Sequence, residues 1–305
     1  MWDPDPAVIQ NANLSWLMDE AGVGSYSDLH RWSVTDRSAF WQTCIDRLSI
    51  VFDIPPDEIL AGTAQDAEWL PGARLNIVAS ALDGEADRLA VIHGPAGSLQ
   101  RVTFAELRSD VARCANGLNA LGLGPGDAVA IVMPMTYEAV VAYLGIVALG
   151  GVVVSIADSF APEEIATRVG IAGAEWAVTQ HASVRAGKTL PMYEKVVAAG
   201  VPRAIVVPGA DGPPLRDSDV WWEDLLSDDA TLSYHSAEAA APTNVLFSSG
   251  TTGEPKAIPW THLTPIKGAM DAHFHQDIHP GDVVAWPTNL GWMMGPWLIY
   301  AALIN

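Results

Sequence analysis

The sequence predicts an α/β fold, a mostly parallel sheet flanked by helices, preceded by a helical N-terminal extension. Short apolar runs rich in valine, isoleucine and alanine begin near Leu89 and alternate with longer segments of helical spacing, as strand–helix–strand units do. Upstream of Trp69-Leu70-Pro71-Gly72 the chain is rich in tryptophan and aspartate and shows no strand pattern. Half of the 305 residues are hydrophobic and the mean hydropathy is +0.19, which supplies enough apolar material for a sizeable core.

Residues 1–73 are assigned to the extension, with helices expected around Ala7 to Ala21 and Thr35 to Phe52 and a turn near Pro56 to Ala61. Residues 74–305 are assigned to the α/β domain, in which Leu89 to His93 reads as a first short strand. Thr103 followed by Glu106 is a capping box, so a helix is expected from there to Leu121. Gly122 to Gly126 is a turn, and Val129 to Met133 is the next strand. The helical run Tyr137 to Leu149 ends at Gly150-Gly151, and the β-branched run Val152 to Ile156 after it reads as a buried strand. Pro162 with Glu163 and Glu164 opens a helix, because proline lacks an amide that the first turn leaves free and the acids face the positive helix end. Trp176 to Thr179 and Ala204 to Val207 are strands on either side of a helix over Met192 to Ala199. Asp219 is expected to cap a helix over Val220 to Leu226. Asn244 to Phe247 is a strand, His262 to His275 a helix, Val283 to Trp286 a strand and Trp292 to Ile304 a helix.

Lysine and arginine number 16 against 36 aspartates and glutamates, a formal charge of −20. Such a surface repels phosphate backbones and anionic lipid, so nucleic acid and membrane surfaces are poor partners. Cys44 and Cys114 are the only cysteines and form no Cys-x-x-Cys pair, which argues against a disulfide framework or thiolate metal site and suits a reducing cytoplasm. The opening residues lack the basic and apolar regions of a secretory signal. Ala139 to Ala157 carries no charge and imitates a membrane span, but the glycine pair divides it into a buried helix and a buried strand, so no span is expected.

Chemistry concentrates in Ser248-Ser249-Gly250-Thr251-Thr252-Gly253-Glu254-Pro255-Lys256, which follows an apolar strand. Glycines let a backbone approach an oxyanion closely, successive amides form an anion-binding concavity, hydroxyls extend it, and the lysine adds charge. Composition alone favours a Ser/Thr/Gly surface turn, common after strands. The order of residues resembles the phosphate-binding signature of the adenylate-forming superfamily, which includes acyl-CoA synthetases, luciferases and nonribosomal peptide adenylation domains. Trp69-Leu70-Pro71-Gly72-Ala73-Arg74-Leu75-Asn76 resembles the N-terminal region of acetyl-CoA synthetase-type enzymes. Gly126 to Glu138 is similar to their first core strand and following helix. Trp286 to Trp292 is similar to a later segment that usually has an acidic residue where Asn289 stands. The extension and Ala257-Ile258-Pro259-Trp260 resemble the plant-type acyl-activating branch.

The resemblance implies an incomplete AMP-binding domain, the N-terminal part of the large adenylate-forming domain, acting on a small-molecule carboxylate with ATP, Mg2+ and CoA. The carboxylate would attack the α-phosphorus of ATP to give acyl-adenylate and pyrophosphate, and the CoA thiol would then take the acyl group. Ser248, Ser249, Gly250, Thr251, Thr252, Gly253 and Lys256 would hold the β- and γ-phosphates, with Thr251 and Thr252 the best hydroxyls. Trp292, Met293 and Met294 stand where the family lines its acyl pocket; two methionines suit an acyl group larger than acetate, and core packing is the competing reading. The family's adenine- and magnesium-binding motif, ribose aspartate, hinge and catalytic C-terminal lysine find no counterpart here. A C-terminal catalytic domain is therefore expected to be absent, and the isolated chain to be inactive as a ligase. The uncapped apolar run Trp297 to Ile304 fits the same expectation of a shortened chain. The alternative is a catalytically dead nucleotide-binding or interaction protein derived from a synthetase. The expected compartment is the cytoplasm, with the peroxisome the alternative for a eukaryotic source.

Two other patterns imitate sites. Ala182 to Thr189 fits a permissive phosphate-loop pattern between a strand and a helix, but has one glycine and no convincing magnesium-side partner downstream. His273, His275 and His279 could suggest a metal, yet His273 and His275 lie two apart on an expected helix and point to different faces. No metal-binding residue is assigned.

Overall fold

The computed structural model describes residues 4–63, 65–95, 97–185, 187–209, 213–250 and 253–305. Four helices open the chain: α1 (Pro6–Asn11), α2 (Asn13–Glu20), α3 (Tyr26–Thr35) and α4 (Arg37–Arg47). The first expected helix is thus broken at Ala12, where the backbone turns extended, and α3 was not expected at all. Asp5, Ser25 and Asp36 cap α1, α3 and α4 by accepting backbone N–H bonds. The upstream segment also contains strands, contrary to expectation: β1 (Leu60–Gly62) pairs antiparallel with β2 (Ala67–Trp69), and β3 (Arg74–Leu75) follows. Helix α5 (Ile77–Ala81) and the hairpin of β4 (Leu89–His93) and β5 (Gln100–Thr103) lead into the main sheet region.

That region runs α6 (Phe104–Ala120), β6 (Ala128–Val132), α7 (Tyr137–Ala148), β7 (Val152–Ser155), α8 (Pro162–Ala172) and β8 (Trp176–Gln180). It continues with β9 (Ser183–Arg185), β10 (Lys188–Leu190), α9 (Met192–Ala198), β11 (Arg203–Val207), β12 (Val220–Trp221) and α10 (Trp222–Leu225). The last elements are β13 (Ala237–Glu238), β14 (Pro242–Ser248), β15 (Lys256–Thr261), α11 (Leu263–His275) and α12 (Met294–Ile304). The seven-stranded sheet has the order β12-β11-β8-β6-β7-β14-β15. Every neighbouring pair is parallel except β14 and β15.

Side-chain alternation along the strands builds a core on each face of this sheet. Val129 and Ile131 of β6 point to the side of α6 and α7, where Val111, Leu118, Val141 and Leu144 are buried. Ala130 and Val132 point to the opposite side, onto Ile165 and Val169 of α8 and Met192 and Val196 of α9. The uncharged run that imitates a span is α7 and β7, with Gly150 turning at φ +85° between them. No helix among the described residues is long and apolar enough to cross a membrane.

Further expectations fail for stated reasons. Asp219 does not cap a helix; its carboxylate binds Arg216, the Tyr193 hydroxyl and the Ala204 amide, while Val220–Trp221 joins the sheet as β12. Val283 to Trp286 is not a strand: Val283 is 69% exposed and the segment finds no ladder partner among the described residues. Ser183–Arg185 and Lys188–Leu190 pair antiparallel as β9 and β10, with Gly187 at φ +76° before β10, so Lys188 and Thr189 lie in a strand rather than at a helix start.

Candidate functional site

Strand β14 pairs parallel with β7 through Asn244 and Val245, then antiparallel with β15, ending on the pair Ser248 and Lys256. The described phosphate-loop candidates, Ser248, Ser249, Gly250, Gly253 and Lys256, therefore sit at the C-terminal edge of the parallel strands, the edge at which open α/β sheets bind ligands. Ser248 and Lys256 are cross-strand partners at the base of the β14–β15 pair. Ser249, Gly253 and Lys256 are exposed. Gly250 has φ +64°, and a Cβ there would stand 2.1 Å from the Glu254 carbonyl oxygen, so only glycine fits this crossing. Gly253, at φ +90°, provides the second left-handed turn. Thr251 and Thr252 lie outside the described residues.

Sequence reasoning did not recognise β15 as a strand, because Pro259 interrupts it. Its position at the sheet edge, where one side of the backbone has no ladder to serve, explains why proline is accommodated.

The second group of candidates stands at the same end of the molecule. Trp292 is 54% and Met293 58% exposed, and Met294 begins α12. The three do not line a single cavity. Trp292 and Met294 face a space of about 530 Å³ with Arg185, Trp286 and Asn289. Met293 and Met294 face one of about 960 Å³ with Trp260, Ile278, Val284 and Trp297.

A line of side chains that the sequence did not disclose connects the two groups. Phe247 precedes Ser248, and the Arg168 guanidinium carbon lies 5.6 Å from its ring centroid and 4.1 Å from that of Phe160. Phe160 in turn meets Trp292 edge to face at 6.4 Å. Arg168 Nη1 donates to the Glu164 carbonyl, and burial holds its pKa below the usual arginine value, partly opposed by Glu164.

Asp158, three residues after β7, was also missed, although it is the first charge after the uncharged run. Its carboxylate accepts from Arg185 and from Asn289 Nδ2, the latter at 2.9 Å. The histidine cluster separates as its spacing suggests. His273 is buried, donating through Nδ1 to Asn305 Oδ1 and accepting at Nε2 from Arg47, while His275 faces solvent. Among the described residues no group of three His, Cys, Asp or Glu side chains could hold a metal ion.

Comparison with known proteins matches residues 78–305 to the AMP-binding enzyme family and residues 26–81 to the acetyl-coenzyme A synthetase N-terminus. The chain is 44% identical to "Probable acyl-activating enzyme 17, peroxisomal" of Arabidopsis thaliana, covering 100% of this chain and 46% of that protein. It is 40% identical to the hexanoyl-CoA synthase of Cannabis sativa, covering 100% of this chain and 47% of that protein. Among solved structures, the acetoacetyl-CoA synthetase from Streptomyces lividans superposes with a TM-score of 0.89 at 33% identity, over 99% of this chain and 50% of that one. The chain thus spans about half the length of the relatives it matches.

Proposed function

This chain belongs to the AMP-binding enzyme family, and on that premise we propose that it carries the phosphate-binding loop and part of the acyl site of an AMP-forming acyl-CoA synthetase. The protein activates a carboxylate: a carboxylate oxygen attacks the α-phosphorus of ATP, the bond to the β-phosphate bridge breaks, and pyrophosphate leaves. The acyl-adenylate then passes its acyl group to the thiol of CoA, releasing AMP. Residues 1–73 are the family's N-terminal segment in this reading, and residues 74–305 the front part of its adenylate-forming domain.

The observation that carries the reading is the β14–β15 hairpin, with its left-handed glycines and its exposed lysine at the base. Backbone amides and hydroxyls of residues 248–253 bind phosphate oxygens, and Lys256 offsets the charge building on the departing pyrophosphate. In a chain of charge −20, this local cation is what admits a polyphosphate. Magnesium bound to the nucleotide would supply further neutralisation of phosphate charge, and no described residue is assigned to hold it. The spaces flanking Met294 are larger than an acetyl group fills, and with the hexanoyl-CoA synthase among the relatives they favour a longer apolar acyl group. A eukaryotic form would work in the peroxisome, as the name of the Arabidopsis relative has it, and a bacterial one in the cytoplasm.

Calorimetric titration of the chain with pyrophosphate and with Mg-ATP tests the loop. Lys256→Ala is expected to weaken both about tenfold, the size of one charged hydrogen bond. Absence of binding by the unsubstituted chain, or equal binding by the variant, would reject the assignment. Carboxylate-dependent pyrophosphate exchange is expected to be absent from the 305-residue chain alone.

A further inference from the structure

The segment 286–293, which bears Trp292 and Met293, contains no helix or strand. Its path is fixed by close contacts instead of a ladder. Gly291 lies against the end of β7, where an added Cβ would stand 2.1 Å from the Ala157 nitrogen. Gly295 lies equally close to the Asn289 carbonyl, 2.3 Å from where its Cβ would be. Just before them Asn289 bridges two groups: its Nδ2–H donates to Asp158 Oδ1 at 2.9 Å, and its Oδ1 accepts the Gly291 N–H at 2.9 Å.

Asp158 has a side chain only 1% exposed, yet it meets three separate parts of the chain. Beyond Asn289, its other carboxylate oxygen accepts from Arg185 Nη2 of β9, and its backbone carbonyl accepts from Lys195 Nζ of α9 at 2.8 Å. A buried carboxylate held only by packing would be destabilising; here each oxygen has a donor.

We propose that Asp158 is a positioning residue of the acyl site, which acts through Asn289 to fix the wall formed by Trp292 and Met293. The inference rests on reading those residues as acyl-site wall. The arrangement requires one carboxylate and one carboxamide. The carboxylate answers Arg185, and only the amide can both donate to it and accept from Gly291. Two carboxylates at this separation would repel unless they shared a proton. The charged groups facing the pair are Arg185 from β9 and Lys195 from α9, with Glu164 of α8 acting on Lys195. Segment 286–293 contributes none.

The test is a charge-exchange cycle on the 305-residue chain: Asp158→Asn, Asn289→Asp and the two together. Thermal unfolding is followed from about pH 5 to about pH 8. Fluorine NMR of fluorotryptophan-labelled chain reports the wall, with the Trp292 signal assigned from Trp292→Phe. Asn289→Asp should lower Tm by several degrees at the alkaline end, and the deficit should shrink toward the acid end as a shared proton restores the hydrogen bond. Asp158→Asn should give a deficit that changes little with pH. The double variant should recover more than half of the summed loss, and the Trp292 signal, shifted in each single variant, should return toward its original position. Strictly additive losses, or a pH-independent deficit in Asn289→Asp, overturn the proposal. Hexanoate is the acyl probe: if it leaves the Trp292 signal of the unsubstituted chain unmoved, the acyl reading of the wall fails, and the coupling of Asp158 to Asn289 is judged by the cycle alone.

Discussion

His262 shows at the level of one residue how burial becomes a pH dependence. It is 2% exposed, accepts the Ile77 N–H at Nδ1, and is pushed down to about 4 from 6.5, by burial first and then by His235. The fold accepts the neutral ring, whereas the unfolded chain takes up a proton near the ordinary value. The stabilisation is therefore complete above about pH 6.5, declines as pH falls toward about 4, and by linkage amounts to about 3 kcal/mol at most. Urea midpoints at about pH 7 and about pH 4.5 should reveal this slope, and His262→Asn, which retains an acceptor, should flatten it. Nothing in the sequence marked His262, because its effect depends on Ile77, far away in the chain. Local chemistry was legible where its partners were local. The Thr103 and Glu106 capping box forms as read, each side chain meeting the other residue's backbone N–H. The Asp219 cap failed because Arg216, Tyr193 and Ala204 outbid the amides that follow Asp219.

At the scale of elements, Gly117 in α6 sets helix propensity against tertiary contact. Alanine at an ordinary helical glycine gains up to about 1 kcal/mol. A Cβ on Gly117, however, would stand 1.9 Å from the Leu225 carbonyl oxygen of α10, and that obstacle is backbone rather than a flexible side chain. Contact wins, so Gly117→Ala should destabilise by about 1–3 kcal/mol, the usual range for overpacking. A denaturation midpoint at or above that of the original chain would show that α10 moves aside. The same competition explains which elements the sequence revealed. Strands β6, β7, β8 and β11 are buried on both faces and read as continuous apolar runs. Strand β15 has no buried residue and contains a proline, so its pattern was invisible. Val283 to Trp286 has strand composition, but Val283, Val284, Ala285 and Trp286 line a groove instead.

For the whole molecule, the composition boundary near residue 73 is not a boundary in the packing. One hydrophobic cluster runs from Leu17, Leu29, Cys44 and Ile45 through the α6 and α7 side of the sheet to Ile299, Tyr300 and Leu303. Polar contacts reinforce the junction. Asn13 is buried, with Nδ2 donating to the His273 and Ile278 carbonyls at 2.9 and 3.0 Å and its backbone N–H to Asp277 Oδ1 at 2.7 Å. Trp16 stacks on Phe274, and Arg47 covers Trp16 while donating to His273. Removing the Asn13 amide strips a donor from both carbonyls, so Asn13→Ala should cost about 2–3 kcal/mol. Because the cluster is continuous, that loss should appear as a downward shift of a single calorimetric transition, with van't Hoff and calorimetric enthalpies still matching. A separate early transition in Asn13→Ala would mean instead that the N-terminal helices unfold as a unit of their own, and the shared core would not be what couples them to the sheet.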